Sequence, residues 1–251
     1  MNRVISLCAR MESSRYPGKT MADIAGRPAL VFLAERLKHV NAEVVIVTGP
    51  DDVPIHKVAA SLGLRCVIGV HGDMMAQHWR VAQATDADVI ALAGADDPLL
   101  DPQTFRDVFR EFGHWYSPDY VRTRGWPLGM NVWAWTREAM EVGYEKAVAP
   151  EERHHVIPYW ERRPHRWKVG TVSREPDAYD VRVTLDTPED REVISAIAVA
   201  LRNVRDFGVA DVLRQLKLHP DWAEINKGQL HGLAARDVLY DLTPVEEGVL
   251  V

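Results

Sequence analysis

The first hundred residues alternate between short apolar runs and stretches with helical periodicity. Short continuous apolar runs are typical of strands buried in a parallel sheet. Four such runs are present, at 4–9, 43–48, 65–69 and 88–93. Apolar side chains recur at helical spacing between them, at 28–39, 56–62 and 73–85. This order predicts a three-layer, Rossmann-like α/β core, in which ligands bind beyond the carboxyl ends of the strands.

The first predicted strand leads into a basic loop, Arg10–Lys19, that suits an anionic ligand. Its sequence, RMESSRYPGK, sets three cations and two serines around a Pro-Gly turn. Guanidinium, ammonium and hydroxyl groups all donate hydrogen bonds to phosphate oxygens. The candidate phosphate ligands are Arg10, Ser13, Ser14, Arg15 and Lys19. A solvated basic loop is the alternative, because the loop has no Walker or dinucleotide glycine fingerprint.

Aspartates follow two of the predicted strands. Asp96 comes after the run at 88–93, and Asp186 follows a strand predicted at 181–185. Because Thr187 is the predicted cap of the next helix, the Asp186 carboxylate is not needed for capping. Mg²⁺ prefers one or two carboxylates together with phosphate oxygens. The sequence therefore predicts a Mg²⁺ site at Asp96 and Asp186, with a simple turn as the alternative at Asp96.

Residues 115–175 differ in composition from the rest of the chain. Six of the eight tryptophans lie within this segment. Strands are predicted at 130–135 and 167–172, and helices at 137–146 and 151–162. We interpret 115–175 as a lobe inserted into a single domain, which binds the acceptor or forms a dimer interface, since tryptophan is enriched at both kinds of surface. A satellite hydrophobic core is an equal alternative, and 203–251 is predicted to be a C-terminal helical segment.

Composition argues against several classes of protein. With 36 acidic and 30 basic residues, the net charge of -6 disfavours a nucleic-acid scaffold. Cys8 and Cys66 lie in apolar runs, which indicates buried, reduced thiols. No apolar stretch approaches the roughly 20 residues of a membrane helix, and the first apolar run is too short for a signal peptide. We expect a cytoplasmic protein that binds neither nucleic acid nor a membrane.

Five motifs, in order along the chain, resemble those of the SpsF-type cytidylyltransferases, which are relatives of the CMP-sialate and CMP-3-deoxy-manno-octulosonate synthetases. The stretch ARMESSRYPGK at 9–19 is similar to the family's ARxGSxRLPGK. The other four are DIAGRP at 23–28, DDPLLDP at 96–102, RHHV at 153–156 and RVTLDTPED at 182–190. Together they span nearly the whole chain, so the resemblance is more specific than any single motif.

The resemblance implies a nucleotide-diphospho-sugar transferase fold with a small dimerisation subdomain, a homodimer, and transfer of CMP from CTP to an acidic sugar or related acceptor with release of pyrophosphate. It implies catalytic roles for Arg10 and Lys19 and a Mg²⁺ site at Asp96 and Asp186. The implied nucleotide contacts are Ala9, Arg10, Ser13, Ser14, Arg15, Lys19, His71 and Gly94. The implied acceptor contacts are Asn131, His155 and Arg182.

Several positions depart from the family pattern. Glu12 replaces a glycine of the phosphate loop, and His71 replaces an arginine near the base pocket. The stretch at 129–133 lacks both acids of the family's GLDVE, which suits a phosphonate or phosphate acceptor. Two further hypotheses stay open. A transferase or glycosyltransferase that uses another nucleotide or nucleotide sugar would share the same core and strand-end aspartate, and the departures suggest a catalytically degenerate binding subunit.

Overall fold

A computed structural model describes residues 1–204 and 206–229 of the chain. Its strands are β1 (Arg3–Cys8), β2 (Asp23–Ile24), β3 (Arg27–Pro28), β4 (Glu43–Thr48), β5 (Arg65–Ile68), β6 (Val89–Gly94), β7 (Tyr120–Arg124), β8 (Trp133–Thr136) and β9 (Val169–Ser173). Its α-helices are α1 (Ala29–Leu37), α2 (Val53–Leu62), α3 (Met74–Thr85), α4 (Pro102–Glu111), α5 (Arg137–Lys146), α6 (Pro150–His155), α7 (Pro158–Glu161), α8 (Pro188–Ala200), α9 (Val209–Leu218) and α10 (Pro220–Ile225). Short 3-10 helices lie at Lys19–Met21, Pro164–Arg166 and Lys227–Gln229.

Seven strands form one mixed sheet in the order β5-β4-β1-β6-β8-β7-β9. The first four are parallel, as the sequence predicts, and β8 runs antiparallel to both β6 and β7. The chain adds β4 and β5 on one side of β1 and then β6 on the other. Strand order therefore reverses between β1 and β6, and the crevice at such a reversal is where open α/β sheets bind ligands.

The core has a layer of helices on each face of the sheet, which confirms the predicted three-layer α/β architecture. Along β1, Ile5 belongs to the apolar cluster that includes α1, α2 and α4, whereas its neighbour Val4 belongs to the cluster that includes α3 and α5. This alternation follows from the two-residue period of a strand, and both side chains are fully buried. A third apolar cluster holds α8 and α9 against the loops beyond β6.

The segment 115–175 contributes β7, β8 and β9 to this same sheet. Trp135 and Trp160 are buried with their ring centroids 4.9 Å apart, in the same apolar cluster as α3 and the central strands β1 and β4. Trp115 is 97% exposed. The subdomain and dimer roles of this segment stay predictions.

Two local predictions are wrong. Residues 181–185 form no strand. Only Arg182 makes a bridge, to Leu128, because Gly129 turns the partner chain away at a φ of 96°. Their apolar side chains instead pack into the cluster beneath α8. The helix predicted at 151–162 is split into α6 and α7, since Val156 has a φ of 67° and Pro158 has no N–H to continue the ladder.

The helices α9 and α10 account for part of the predicted C-terminal helical segment. Residues 230–251, and Arg205, lie outside the described residues. In the part of the chain that the structure describes, none of the helices combines the length and the apolar character that crossing a membrane demands.

Candidate functional site

Two loops meet where β1 and β6 end side by side. Cys8 and Gly94 are register partners at the strand ends, and the Ala95 N–H donates to the Cys8 carbonyl at 2.9 Å. The loop that carries Asp96 therefore begins against the start of the basic loop Arg10–Lys19. This is the arrangement that the order of strands predicts.

The basic loop folds back on itself through its Pro-Gly turn. Gly18 has a φ of 73°, which favours glycine, and its N–H donates to the Met11 carbonyl at 2.9 Å. The Thr20 hydroxyl closes the loop by donating to the Arg10 carbonyl at 2.8 Å. This path leaves Lys19 only 5% exposed and aims its side chain inward.

Asp52 ties the basic loop to the neighbouring strand β4. Its carboxylate accepts from the Met11 N–H at 3.0 Å, the Thr48 hydroxyl at 2.8 Å and the Gly49 N–H at 3.1 Å. Sequence reasoning missed this residue, although an aspartate just beyond a strand end was the same signal that identified Asp96 and Asp186.

The two predicted metal ligands, Asp96 and Asp186, both bind the ammonium group of Lys19. The Lys19 ammonium donates to Asp96 Oδ2 at 2.7 Å and to Asp186 Oδ1 at 2.8 Å. Burial alone lowers the pKa of Lys19, but the charges of the two carboxylates outweigh burial and raise it. Burial likewise raises the pKa of Asp186, yet Lys19, Arg15 and Arg182 together hold it below its usual value. Lys19 and Asp186 are therefore both charged at neutral pH.

Asp186 is held from behind by a buried pair, Arg182 and Asp190. Arg182 donates to Asp190 Oδ1 and Oδ2, each at 2.9 Å, and to Asp186 Oδ2 at 3.0 Å. Asp190, which is 0% exposed, also accepts from the Thr187 N–H at 3.1 Å and from Asn226 Nδ2 at 2.9 Å. Thr187 Oγ accepts from the Asp190 N–H, which confirms the predicted capping box.

Asp96 is oriented by close backbone contacts. Its carbonyl accepts from the Leu185 N–H at 2.7 Å, so the segment that carries Asp186 is docked directly on the β6 loop. A Cβ at Gly94 would lie 2.3 Å from Asp96 Oδ1, so only glycine leaves room for that carboxylate. Burial, followed by the charge of Asp96, raises the pKa of the adjacent Asp97 to about 8.

The outer rim of the site is exposed. Arg10 is exposed and makes no ion pair with any residue in the described ranges, whereas Arg15 lies 3.0 Å from Asp186 Oδ1 with 59% of its side chain exposed. The Glu12 carboxylate lies 3.3 Å from His71 Nε2, away from Lys19. Two of the residues that depart from the family pattern are therefore paired with each other.

The serines of the basic loop lie on this same rim. Ser13 Oγ accepts from the Tyr16 N–H at 3.3 Å and so supports the turn, while Ser14 is exposed.

A cleft opens at this edge of the sheet. It brings together six of the predicted site residues: Ala9, Arg10, Lys19, His71, Gly94 and Asp96. Sequence reasoning missed Cys8 and Gln77, which also line it. The Cys8 thiol donates to Gln77 Oε1 at 3.1 Å, and burial, with Asp96 next, raises the pKa of Cys8 to about 12. Cys8 is therefore a protonated thiol in the cleft and not a nucleophile.

The predicted acceptor residues lie outside the set that lines the cleft. Arg182 is 8% exposed and binds carboxylates, as described above. Asn131 donates to the Pro127 carbonyl at 3.0 Å, and its buried Oδ1 has no hydrogen-bond partner among the described residues. His155 is half-buried, and burial, followed by the charges of His154 and Arg10, lowers its pKa.

The site thus combines an exposed cationic rim with two carboxylates that flank the buried Lys19 ammonium. The rim can bind phosphate oxygens, and the carboxylates can bind a divalent metal.

Comparison with protein families gives a match over most of the chain. A family model described as Cytidylyltransferase matches residues 5–217. An uncharacterized protein of Methanocaldococcus jannaschii is 28% identical over 79% of this chain and 87% of its own length. The spore coat polysaccharide biosynthesis protein SpsF of Bacillus subtilis is 24% identical over 89% of this chain and 98% of its own length.

A shorter match links the chain to a named sugar cytidylyltransferase. The 3-deoxy-manno-octulosonate cytidylyltransferase of Tolumonas auensis is 32% identical, over 47% of this chain and 48% of its own length. Among solved structures, a cytidylyltransferase from Leptospira borgpetersenii superposes with a TM-score of 0.83 at 25% identity, covering 88% of this chain and 96% of that one.

Proposed function

The chain belongs to the cytidylyltransferase family, and from this premise we propose that it transfers CMP from CTP to an acidic sugar or a related acceptor, with Mg²⁺ bound and pyrophosphate released. Membership of the family makes the protein a nucleotidyltransferase, and its resemblance to SpsF extends along 89% of the chain. To this activity we add, as parts of the proposal, the class of acceptor, the Mg²⁺ ion and pyrophosphate as the leaving group.

One observation carries the proposal. Asp96 and Asp186 come from loops 90 residues apart in sequence. They hold the Lys19 ammonium of the basic loop between them, at 2.7 Å and 2.8 Å. Metal-assisted nucleotidyl transfer needs two carboxylates that can flank a cation, next to side chains that donate hydrogen bonds to phosphate oxygens.

The residues present fit a divalent metal. Two carboxylate oxygens already share one positive charge, and Mg²⁺ binds one or two carboxylates together with substrate phosphates. Asp96 and Asp186 would hold the ion, and the ion would neutralise charge on the phosphate oxygens.

The chain's own cations supply the rest of the electrostatic stabilisation. Arg10, Arg15 and Lys19 would bind the triphosphate and offset the charge that develops on the leaving pyrophosphate. The free Arg10 guanidinium at the cleft mouth supports this role, because it has no competing carboxylate among the described residues. Ala9, Ser13, Ser14, His71 and Gly94 would complete the contacts with the nucleotide.

The acceptor contacts of the proposal are Asn131 and His155, with Arg182 acting indirectly. Asn131, whose buried Oδ1 has no hydrogen-bond partner among the described residues, would contact the acceptor, and His155 is the second predicted contact. Arg182 would act through Asp186, because its guanidinium is held by Asp190. The relative named as a 3-deoxy-manno-octulosonate cytidylyltransferase supports an acidic sugar as the acceptor class.

The experiment is a pyrophosphate-release assay with Mg²⁺ and CTP, ATP, GTP or UTP in parallel. Acceptors are offered as a panel of 3-deoxy-sugar acids, nonulosonic acids, neutral sugars, sugar phosphates and phosphonates. The proposal predicts release that needs CTP and an acidic sugar together. Release with UTP, ATP or GTP in preference to CTP would overturn the choice of nucleotide, and release only with phosphonates or phosphates would overturn the acidic sugar.

A further inference from the structure

We propose that Lys19 is an internal counter-ion of the Asp96–Asp186 carboxylate pair, and that metal and nucleotide bind by exchanging with it. When a divalent cation takes the place between the carboxylates, the Lys19 ammonium moves from them to the triphosphate. The inference rests on the proposed function, because it needs a metal and a nucleoside triphosphate in this cleft.

The geometry does not let the lysine and a metal share the position. The Lys19 nitrogen lies 2.7 Å from Asp96 Oδ2 and 2.8 Å from Asp186 Oδ1. A Mg²⁺ ion binds oxygen ligands at about 2.0–2.1 Å, so an ion held by both of these oxygens would overlap the ammonium. One cation must therefore leave before the other can bind to both of these oxygens.

A displaced Lys19 needs a new acceptor. Its side chain is 7% exposed, and a buried ammonium without a partner is strongly unfavourable. Lysine is also the cation best suited to such a move, since it is a compact charge with rotatable donors on a flexible stem. A triphosphate in the cleft supplies the acceptor, so metal and nucleotide should each tighten the binding of the other.

The neighbouring arginines are not equivalent to Lys19. Arg15 reaches Asp186 at 3.0 Å, but its side chain is 59% exposed and solvent screens its charge. Arg182 contacts Asp186 and is fixed by two further bonds to Asp190. Among these three cations, Lys19 is the one in contact with both carboxylates.

The test measures Mn²⁺ binding without nucleotide, by electron paramagnetic resonance, in wild type and four variants. Lys19→Met is expected to bind Mn²⁺ about tenfold or more tightly than wild type, because a charge next to the metal position is removed from a buried site. Arg15→Met, the matched control, should change affinity less than about threefold because its charge is screened. Lys19→Arg should keep the weak binding, and Asp186→Asn should lose the site.

The same titration in the presence of CTP measures the coupling. In wild type, CTP should tighten Mn²⁺ binding, and Mn²⁺ should tighten CTP binding by the same factor. In Lys19→Met the increase in Mn²⁺ affinity caused by CTP should be smaller, since no ammonium group remains to move from the carboxylates to the triphosphate. Equal or weaker Mn²⁺ binding by Lys19→Met, or a change as large in Arg15→Met, would overturn the inference.

Wild-type protein offers a second measurement that does not depend on a variant's folding. Saturating Mn²⁺ without nucleotide should increase the acylation of Lys19 by an amine reagent, read by mass spectrometry, and leave the exposed Lys168 unchanged. Unchanged Lys19 labelling while Mn²⁺ is bound would contradict the exchange. Because neither readout uses turnover, tighter metal binding by Lys19→Met with no pyrophosphate release from any acceptor would leave this inference intact and remove the proposed function.

Discussion

The cleft has two sides that carry similar charges in very different surroundings. On the inner side, Lys19, Asp186, Arg182 and Asp190 are joined in one chain of hydrogen bonds, and Asp190 is 0% exposed. On the outer rim, Glu12 and His71 form a pair in which both side chains are more than 70% exposed. The buried charges on the inner side therefore hold the geometry of the site, whereas solvent screens the exposed charges on the rim.

The difference indicates a division of labour. Removing one member of a buried ion pair leaves an uncompensated charge, whereas an exposed pair contributes little to stability. We expect the inner side to set stability and metal position, and the rim to set nucleotide affinity and its dependence on salt.

The largest expected effect is on stability, at Asp190. Asp190→Asn should lower the free energy of unfolding by about 3–5 kcal/mol, because the Arg182 guanidinium is left buried without its bidentate partner. Urea unfolding followed by circular dichroism measures this loss. The double variant Asp190→Leu with Arg182→Met should lose less stability than the sum of the losses in Asp190→Leu alone and Arg182→Met alone. Additive losses would show that the pair does not act as a unit.

A smaller stability effect with a large effect on turnover is expected at Gly94. In Gly94→Ala the new methyl group would overlap Asp96 Oδ1, so the carboxylate that binds Lys19 must shift. We expect a loss of about 1–3 kcal/mol from overpacking and a fall in the pyrophosphate-release rate of about tenfold or more. Gly228→Ala, where the added carbon has no atom within 4 Å, is the matched control and should leave both unchanged. Equal rates in the two variants would argue against a requirement for this carboxylate position.

Asp52 links the two sides, since it anchors the basic loop to β4. Asp52→Ala removes three hydrogen bonds and should cost about 1–2 kcal/mol of stability, because their donors are left unpaired. The loosened loop should raise the KM for CTP more than it lowers kcat. Steady-state kinetics checks this split, and a change confined to kcat would contradict the anchoring role.

The smallest stability effect is expected at the rim. Glu12→Gln should change the free energy of unfolding by no more than about 0.5 kcal/mol, as is typical of exposed ion pairs. It should strengthen CTP binding, because a negative charge is removed beside a triphosphate, and the gain should shrink as salt is added. Calorimetric titration of CTP at two ionic strengths measures both effects. Weaker CTP binding by the variant would mean that Glu12 contributes to the site directly.

Local patterns in the sequence predicted what depends on local physics. The alternation of apolar runs and helical stretches defined seven core elements, β1, α1, β4, α2, β5, α3 and β6, with helix ends within three residues of those observed. The Thr187 capping box was also predictable, because cap and acid are three residues apart. The strand-end positions of Asp96 and Asp186 followed from the same alternation.

Contacts across the fold were not predictable in this way. Lys19 was assigned to phosphate, and nothing local indicates that it faces carboxylates 77 and 167 residues away. The apolar run 181–185 was taken for a strand because burial beneath α8 and burial in a sheet select the same side chains. Asp52 carries the same strand-end signal as Asp96 and Asp186, but its link to Met11 in the basic loop, 41 residues away, has no local signal.

The most direct test of the central claim is a crystal structure with CTP and Mn²⁺, with anomalous scattering recorded at the manganese absorption edge. The account predicts an anomalous peak bound by both Asp96 and Asp186, with the Lys19 nitrogen moved from those carboxylates to a phosphate oxygen of CTP. A manganese peak that touches neither aspartate, or one beside an unmoved Lys19 still bound to both carboxylates, would contradict it.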